Sequence, residues 1–388
     1  MAGKSSQRPA RVIFASSSVG AGHNQAAAAV MAALEAADPS VRAEFTDALQ
    51  FVPRWFWLMY AGNYTLGVTR LPRLYGLGYR LMDRPKGPRR TLNERARLRL
   101  ERHVLRPYQQ HLLRRRPALV VATHYLASPT VGWMVGRGVK GIRLWALVTD
   151  YAAHRFYYAE NVERYFVADE HVRDQLVAWG VEPQRIVLSG IPVHPKWTAR
   201  LDKAKVRREW KLPEARPIVV VSGGTYFTVG PVPQLARGIL SASDAHVVVL
   251  AGSDKKLLAH LAGLSQSTGR VTGVPFTDRV HELVAVASVV VTKPGGLMTT
   301  ECMAKGAAMV LTRPIPGQEA ANAELLSRKG AAVLTSSSAD VVRQVTRLLA
   351  EPAKLRSLRA RARRLHKPAA RTIAAQIIEA LRQPGSAW

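Results

Sequence analysis

Three Gly-rich turns in this chain carry side chains that could do chemistry. The first is SSVGAGH over residues 17–23, where an apolar run, RVIFAS, gives way to an Ala-rich stretch. Gly20 and Gly22 allow a tight turn and close backbone approach to a ligand, and the start of the following helix favours negative charge. His23 falls at that helix start. There the helix dipole disfavours an imidazolium, so a neutral ring able to take a proton is expected; a capping or core histidine is the alternative. Two further strand ends bear polar groups. His124 follows ALVVAT, and Asp150 follows LWALVT with His154 four residues on. Asp150 could equally cap a helix, and His154 could be a surface or paired histidine.

The second and third turns lie in the other half. TKPGGLMTTE, residues 292–301, reads as strand end, glycine loop and helix. Gly295 and Gly296 open the backbone. Glu301 follows within the first turns, where a carboxylate can accept two hydroxyl hydrogen bonds, as from a ribose diol. Helix decoration favoured by the dipole is the plainer reading. RPIPGQEAANAELL, residues 313–326, sets Gln318 and Asn322 on one helical face,, and amides suit the donor–acceptor alternation of sugar hydroxyls. SGGTYFTVG, residues 222–230, offers Gly223 and Gly224 after another strand, as a phosphate loop would. No metal cage is legible, and the single cysteine, Cys302, has no partner for an internal disulfide,.

Positioning such groups needs strands that end in loops. Nine β-branched runs are expected as strands: Arg11–Ser16, Ala118–Thr123, Arg143–Thr149, Arg164–Ala168, Ile186–Ser189, Pro217–Ser222, His246–Ala251, Ser288–Thr292 and Ala308–Arg313. Several are continuously apolar, as strands buried on both faces of a parallel sheet are. Their alternation with helical stretches predicts an α/β fold with doubly wound sheets. Five fall before residue 190 and four after 216, with the Pro-bearing SGIPVHPKW, 189–197, between them. Two domains follow, 1–195 and 196–365, with ligands expected beyond the carboxyl ends of the strands.

Bulk properties narrow the class. The chain has 388 residues, 47% hydrophobic and 21% charged, ample for two cores,. No apolar run reaches the length of a membrane-spanning helix, and the apolar run before Ser16 is too short for that of a signal peptide,. Cytoplasmic residence is therefore expected. Fifty-six basic against 27 acidic residues give a net charge of +29, which points to anionic partners. The excess is concentrated: residues 84–116 hold twelve Arg or Lys against Glu94 and Glu101, and 343–371 hold ten against Glu351. Residues 51–82 add eight aromatics, four arginines and no acid. Trp55, Phe56, Trp57 and Tyr60, with Arg89 and Arg90, suit a membrane interface; a buried helix pair or dimer face is the alternative.

Taken together, GAGH (20–23), TDYAAHRFYYAENVERYFVADEHV (149–172), GIPVHPKW (190–197), TKPGGLMTTE (292–301) and PIPGQEAAN (314–322) resemble the diacylglycerol glycosyltransferases of glycosyltransferase family 28. That group contains monogalactosyldiacylglycerol synthases and processive diacylglycerol glucosyltransferases. The resemblance spans nearly the whole chain. It implies a GT-B fold, two facing doubly wound Rossmann-like domains with a cleft between them. It implies inverting transfer of a hexose (glucose, galactose or GlcNAc) from a UDP-sugar to a membrane lipid such as diacylglycerol, with no metal or other cofactor. By the same resemblance Glu301 matches the ribose-binding position, and Gln318 and Glu319 the sugar- and nucleotide-contacting pair. Phe276 and Thr277 match the uracil-reading segment, Gly223 and Gly224 the phosphate loop, and His23 the histidine between acceptor and donor. The segment 366–388 is implied to cross back to the N-terminal domain, and the enzyme to sit on the inner face of the cell membrane. The chain departs from the family at Ala21, where glycine is frequent, and at Tyr226 and Phe227 in the phosphate loop. His23 or Asp150 is the base. A nucleic-acid-binding protein is the competing class suggested by the charge, although no groove-reading motif is present; a UDP-sugar epimerase or hydrolase on the same fold is another.

Overall fold

The computed structural model describes residues 10–18, 20–62, 90–223, 231–312, 314 and 317–383. The expected features at Gly224, Tyr226, Phe227 and Arg89, and the aromatic stretch beyond residue 62, lie outside them. The chain divides into two compact units. Among the described residues, the first takes in those up to 62, 90–195 and 368–383; the second takes in those from Lys196 to Lys367.

The first unit is built on a six-stranded, wholly parallel sheet in the order β2-β1-β3-β4-β5-β6. Its strands are β1 (Arg11–Ser16), β2 (Arg42–Asp47), β3 (Leu119–Ala122), β4 (Arg143–Leu147), β5 (Arg164–Phe166) and β6 (Ile186–Val187). Pairing runs in register, with Val12 opposite Leu119 and Val120 opposite Leu144. Helices α1 (Ala21–Ala37), α2 (Arg54–Trp57), α3 (Leu92–Val104) and α4 (Arg106–Arg115) belong to this unit. A capping box starts α3: Thr91 accepts from the Glu94 N–H while Glu94 reaches back to the Thr91 N–H,. The C-terminal helix Ala369–Arg382 completes the unit. Ile373 and Ile377 share a core with Val30, Leu34, Phe14 and Trp145. Polar ties reinforce it, with Arg164 donating to the Gln376 amide at 2.7 Å and Arg143 to the Ala380 carbonyl at 2.8 Å.

The second unit repeats the plan with the order β12-β11-β10-β7-β8-β9, again parallel throughout. Its strands are β7 (Ile218–Ser222), β8 (His246–Gly252), β9 (Val271–Pro275), β10 (Val289–Thr292), β11 (Ala308–Thr312) and β12 (Ala332–Thr335). The central strands β7 and β10 are buried at every position, which their all-Val interiors require,. Helix α5 (Gly296–Lys305) follows β10, and α6 (Gln318–Arg328) follows β11.

All nine expected strands exist, with ends shortened by up to two residues or, for β8, extended by one. Each sheet holds more strands than the sequence suggested. The additional ones, β2, β9 and β12, are all edge strands. An edge strand is partly solvated, so RAEFTD and VTGVP lack the unbroken apolar run that marks a central strand; AVLT is apolar but short, and its Val333 and Leu334 are partly exposed.

Candidate functional site

The expected residues gather at the carboxyl ends of the strands in each unit. In the first sheet the winding reverses between β1 and β3, since β2 lies on one side of β1 and β3 to β6 on the other. Crevices at such reversals are where open α/β sheets take ligands. The first turn of α1, which follows β1, carries His23, and the loop after β3 carries Thr123 and His124. Gly20 has φ of +88°, a conformation in which a side chain would be strained, and it turns the chain so that α1 begins at Ala21.

His23 Nδ1 lies 2.9 Å from the main-chain oxygen of Thr123 and 2.9 Å from the hydroxyl of Thr149, just beyond β4. A carbonyl oxygen only accepts, so Nδ1 carries the proton and the lone pair of the neutral ring is on Nε2. Burial pushes the His23 pKa down to about 4, against a smaller opposing effect of the Thr123 hydrogen bond,. The ring is therefore neutral at pH 7 and able to accept a proton at Nε2. Beside it, edge to face at 4.6 Å, stands His124. That ring is buried, and the Leu126 N–H donates to its Nδ1 at 3.1 Å. Burial, and then the neighbouring His23, hold its pKa well below the usual histidine value.

Asp150 directly follows Thr149 and is half-buried; its charge adds to the burial that raises the Tyr157 phenol. His154 is buried and caps the short helical turn Arg155–Tyr157, its Nδ1 accepting from the Phe156 N–H at 3.1 Å. The capping contact accounts for its orientation. The sequence reading missed Thr149 as a partner of His23, because a threonine at the end of a strand gives no signal of its own.

In the second sheet the winding reverses between β7 and β10. Gly223 follows β7, and Lys293 to Gly296 follow β10. Lys293 Nζ meets Glu319 Oε1 at 2.5 Å, with both side chains largely buried. Asn322, fully buried, donates from Nδ2 to the Pro294 carbonyl at 3.0 Å. Glu319 and Asn322 are three apart on α6 and so share a face, and that face holds the loop before Gly295. Gly317, at φ +112° and ψ −128°, starts α6 in a conformation open essentially to glycine,; Gln318 follows it as the first helical residue.

Glu301 is buried on α5. Burial raises its pKa to about 8, with Lys196 and a hydrogen bond from the Trp197 indole opposing the rise. Lys196 and Trp197 close the motif GIPVHPKW, and their nearness to Glu301 was not legible from spacing. Phe276 is exposed beyond β9, its N–H donating to the Gly252 carbonyl, while the Thr277 hydroxyl accepts from the Arg279 N–H. Among the described residues, no group of three or more His, Cys, Asp or Glu could hold a metal ion.

The residues expected at a membrane interface divide. Trp55 and Trp57 are about half exposed, as are Leu58 and Met59. Phe56 is 2% exposed and stacks on Tyr60 at 5.7 Å, so the helical turn sends it inward while its neighbours point out. Arg90 is likewise committed inside, paired with Glu160 at 3.1 Å and lying over the Tyr158 ring. Arg97 pairs with Glu101 and covers Phe156. Phe56 and Arg90 are therefore corrected from surface to packed residues. The outer face of α3 carries Leu92, 80% exposed, with Arg95, Arg99 and Leu100. Among the described residues, no helix is long and apolar enough to cross a membrane.

Two parallel doubly wound sheets, each with its polar residues at the reversal of winding, define a GT-B fold. Residues 23–193 match the monogalactosyldiacylglycerol (MGDG) synthase family, and residues 218–377 match the glycosyltransferase family 28 C-terminal domain. The chain belongs to glycosyltransferase family 28, in its MGDG-synthase-like branch. Processive diacylglycerol beta-glucosyltransferases are similar to it. That of Bacillus pumilus is 31% identical over 62% of this chain and 63% of its own length. That of Bacillus cereus is 29% identical over 65% of each. The chain thus spans somewhat under two thirds of the curated relatives it matches. Solved structures share the fold. Acinetobacter baumannii MurG has a TM-score of 0.61 at 16% identity, covering 96% of this chain and 100% of that one. Anabaena HepE in complex with UDP has a TM-score of 0.55 at 13% identity, covering 96% and 99%.

Proposed function

We propose that the chain transfers a hexose from a UDP-sugar to a lipid hydroxyl of the diacylglycerol type, with inversion at the anomeric carbon and without a metal. The observation that carries the reading is the tautomer of His23, a neutral ring whose Nδ1 proton is fixed by Thr123 and whose Nε2 is basic. In the reaction the acceptor oxygen attacks the anomeric carbon, its proton passes to His23 Nε2, and the bond from that carbon to the diphosphate breaks, leaving UDP with the electron pair. Asp150 is the alternative base. One displacement inverts the carbon. The charge growing on UDP needs neutralisation, for which the N-terminus of α5 and Lys293 are suited. Glu301 takes the ribose hydroxyls, Gln318 and Glu319 the sugar and the nucleotide, and the loop of Gly223 and Gly224 the phosphates.

The names of the curated relatives favour glucose as the first donor to test, and diacylglycerol as the acceptor. The bound UDP of Anabaena HepE supports a uridine nucleotide on this fold. Exposed Trp55 and Trp57 support a protein lying on the inner face of a membrane, where a water-soluble epimerase substrate or a nucleic acid would find no use for them. Radiolabelled UDP-glucose, UDP-galactose and UDP-GlcNAc, offered singly with total membrane lipid and with EDTA present, test the reading. A labelled lipid of inverted linkage is expected from one of them. Label released only as free sugar, or activity abolished by EDTA, would overturn transfer or metal independence respectively.

A further inference from the structure

Along the edge strand β2 of the first unit's sheet a cavity of about 430 Å³ opens. Its walls come from β2, the turn after it and α4. Glu44 is the sole acid among its lining residues, and three guanidinium groups converge on that carboxylate. Arg11 Nε and Arg42 Nε stand 3.1 Å from one oxygen, and Arg115 Nε stands 3.3 Å from the other. One carboxylate neutralises one of three cations, so the cluster keeps an excess of two positive charges. Arg42 and Arg115 are about half exposed. Each touches Glu44 through Nε, and a guanidinium has further N–H donors to offer a second anion.

The rest of the cavity is not a plain solvated face. His111 lines it, and its Nε2 is buried with no hydrogen-bond partner among the described residues, which a buried polar atom seldom is. Phe51 packs on that ring at 4.9 Å, and Phe45, 42% exposed, adds a second apolar wall. Cations and aromatic surface together fit an anionic group borne on a compact apolar body.

We propose that this cavity binds a phosphate monoester, held by Arg42 and Arg115, with Glu44 as the resident counter-ion it partly displaces. The site is separate from the sugar-transfer residues, and the proposal does not depend on that chemistry. It is connected to them through β2. Thr46 and Asp47 end the strand; the Asp47 carboxylate accepts from the Ser18 hydroxyl and main-chain N–H, just ahead of Gly20 and His23. An occupant that shifts β2 therefore acts on the loop that leads into His23.

The test is calorimetry of inorganic phosphate and glycerol 3-phosphate against the full chain, with and without saturating UDP, so that binding at a nucleotide site is separated from binding here. Saturable binding that persists with UDP is expected. Arg42→Ala with Arg115→Ala should weaken it at least tenfold and leave UDP affinity unchanged. Glu44→Gln should strengthen it severalfold, because the competing carboxylate is gone; that gain is the opposite of what loss of a structural ion-pair hub gives. A parallel arm floats the protein with phosphatidylcholine vesicles containing or lacking a phosphomonoester lipid. Capture by the former alone, lost in the double arginine variant and without binding of the soluble esters, assigns the group to a lipid headgroup; binding of the soluble esters assigns it to a free phosphate. No binding in either arm, or binding unaffected by both variants, overturns the proposal.

Discussion

His23 Nδ1 and the main-chain oxygen of Thr123 lie 2.9 Å apart, bridging the first turn of α1 and the loop after β3 at the place where the winding of the sheet reverses. The contact does two things. It orients the ring, and it commits the proton to Nδ1. With the ring desolvated and its pKa near 4, proton acceptance at Nε2 is available throughout the physiological range.

His23→Ala should therefore lower turnover by about 10²–10⁴-fold, the usual range for a general base. UDP affinity should hold, because the residues suited to the nucleotide lie in the other unit. The pH profile is a second readout. A base works when deprotonated, so activity controlled by His23 should stay level from pH 8 down to about 5 and fall only as pH approaches 4. An inflection near 6.5 would mean a solvated ring, and near-normal turnover of the alanine variant would move the role to Asp150.

Glu301 makes a contrasting case. Its carboxyl is buried and titrates at about 8, so at pH 7 the free protein holds it mostly protonated. A ribose diol donates best to the ionised form. Binding of UDP should then release a proton, and affinity should rise as pH increases towards 8, by at most about tenfold per unit. Calorimetry in two buffers of different ionisation heat measures the proton directly. Glu301→Gln should bind UDP more weakly, with the loss of charge-assisted bonds of roughly 1.5–3 kcal/mol, and should show neither the release nor the slope. The same release in the Gln variant would place its source elsewhere.

How much of this could be read from residues alone follows a physical line. Gly-rich turns after apolar strands announce themselves, so GAGH and TKPGG located both reversals of winding. Central strands such as VVVS and VVVT are unmistakable because burial on both faces admits few polar residues. Edge strands were missed for the opposite reason. Side-chain partners across the fold were also hidden. Thr149 bonding to His23, and Trp197 reaching Glu301, connect residues that are distant in sequence and have no pattern in common. Phe56 shows the limit for aromatics: within RWFW nothing but the helical turn decides that it packs on Tyr60 while Trp55 and Trp57 face out.

Asn322 tests the positioning of the glycine loop. It is fully buried, and its amide holds the Pro294 carbonyl. Asn322→Ala leaves that oxygen without its donor and should cost about 1–3 kcal/mol of stability. Asn322→Asp should be worse than alanine above pH 5, since a buried carboxylate facing a carbonyl oxygen is repelled by it. Urea unfolding gives the order, and equal stability of all three proteins would remove Asn322 from the loop's support.

The final prediction concerns the surface proposed to meet lipid. Trp55, Trp57, Leu58 and Met59 are exposed on one short turn. The Tyr60 that follows them feels the charges of Glu101 and Arg97 on α3, so this turn lies beside that helix. The outer face of α3 offers Leu92 and Leu100 with Arg95 and Arg99 between them, and spacings of three, four and eight residues keep these four together. Apolar groups contribute burial that salt does not screen, whereas each arginine near an anionic surface adds on the order of 1 kcal/mol and fades beyond a Debye length. Trp55→Ala with Trp57→Ala should thus weaken vesicle binding at every salt concentration. Arg95→Gln with Arg99→Gln should weaken it chiefly at low salt and only where anionic lipid is present. Phe56→Ala belongs to a different class: it removes a packed ring and should lower stability by about 3–5 kcal/mol, while vesicle binding of the folded fraction is retained. Co-sedimentation across a salt series, with unfolding followed in parallel, separates the three. Should the tryptophan and arginine variants both sediment with anionic vesicles as well as the parent does, the docking face lies elsewhere on the first unit, and the exposed tryptophans need another partner.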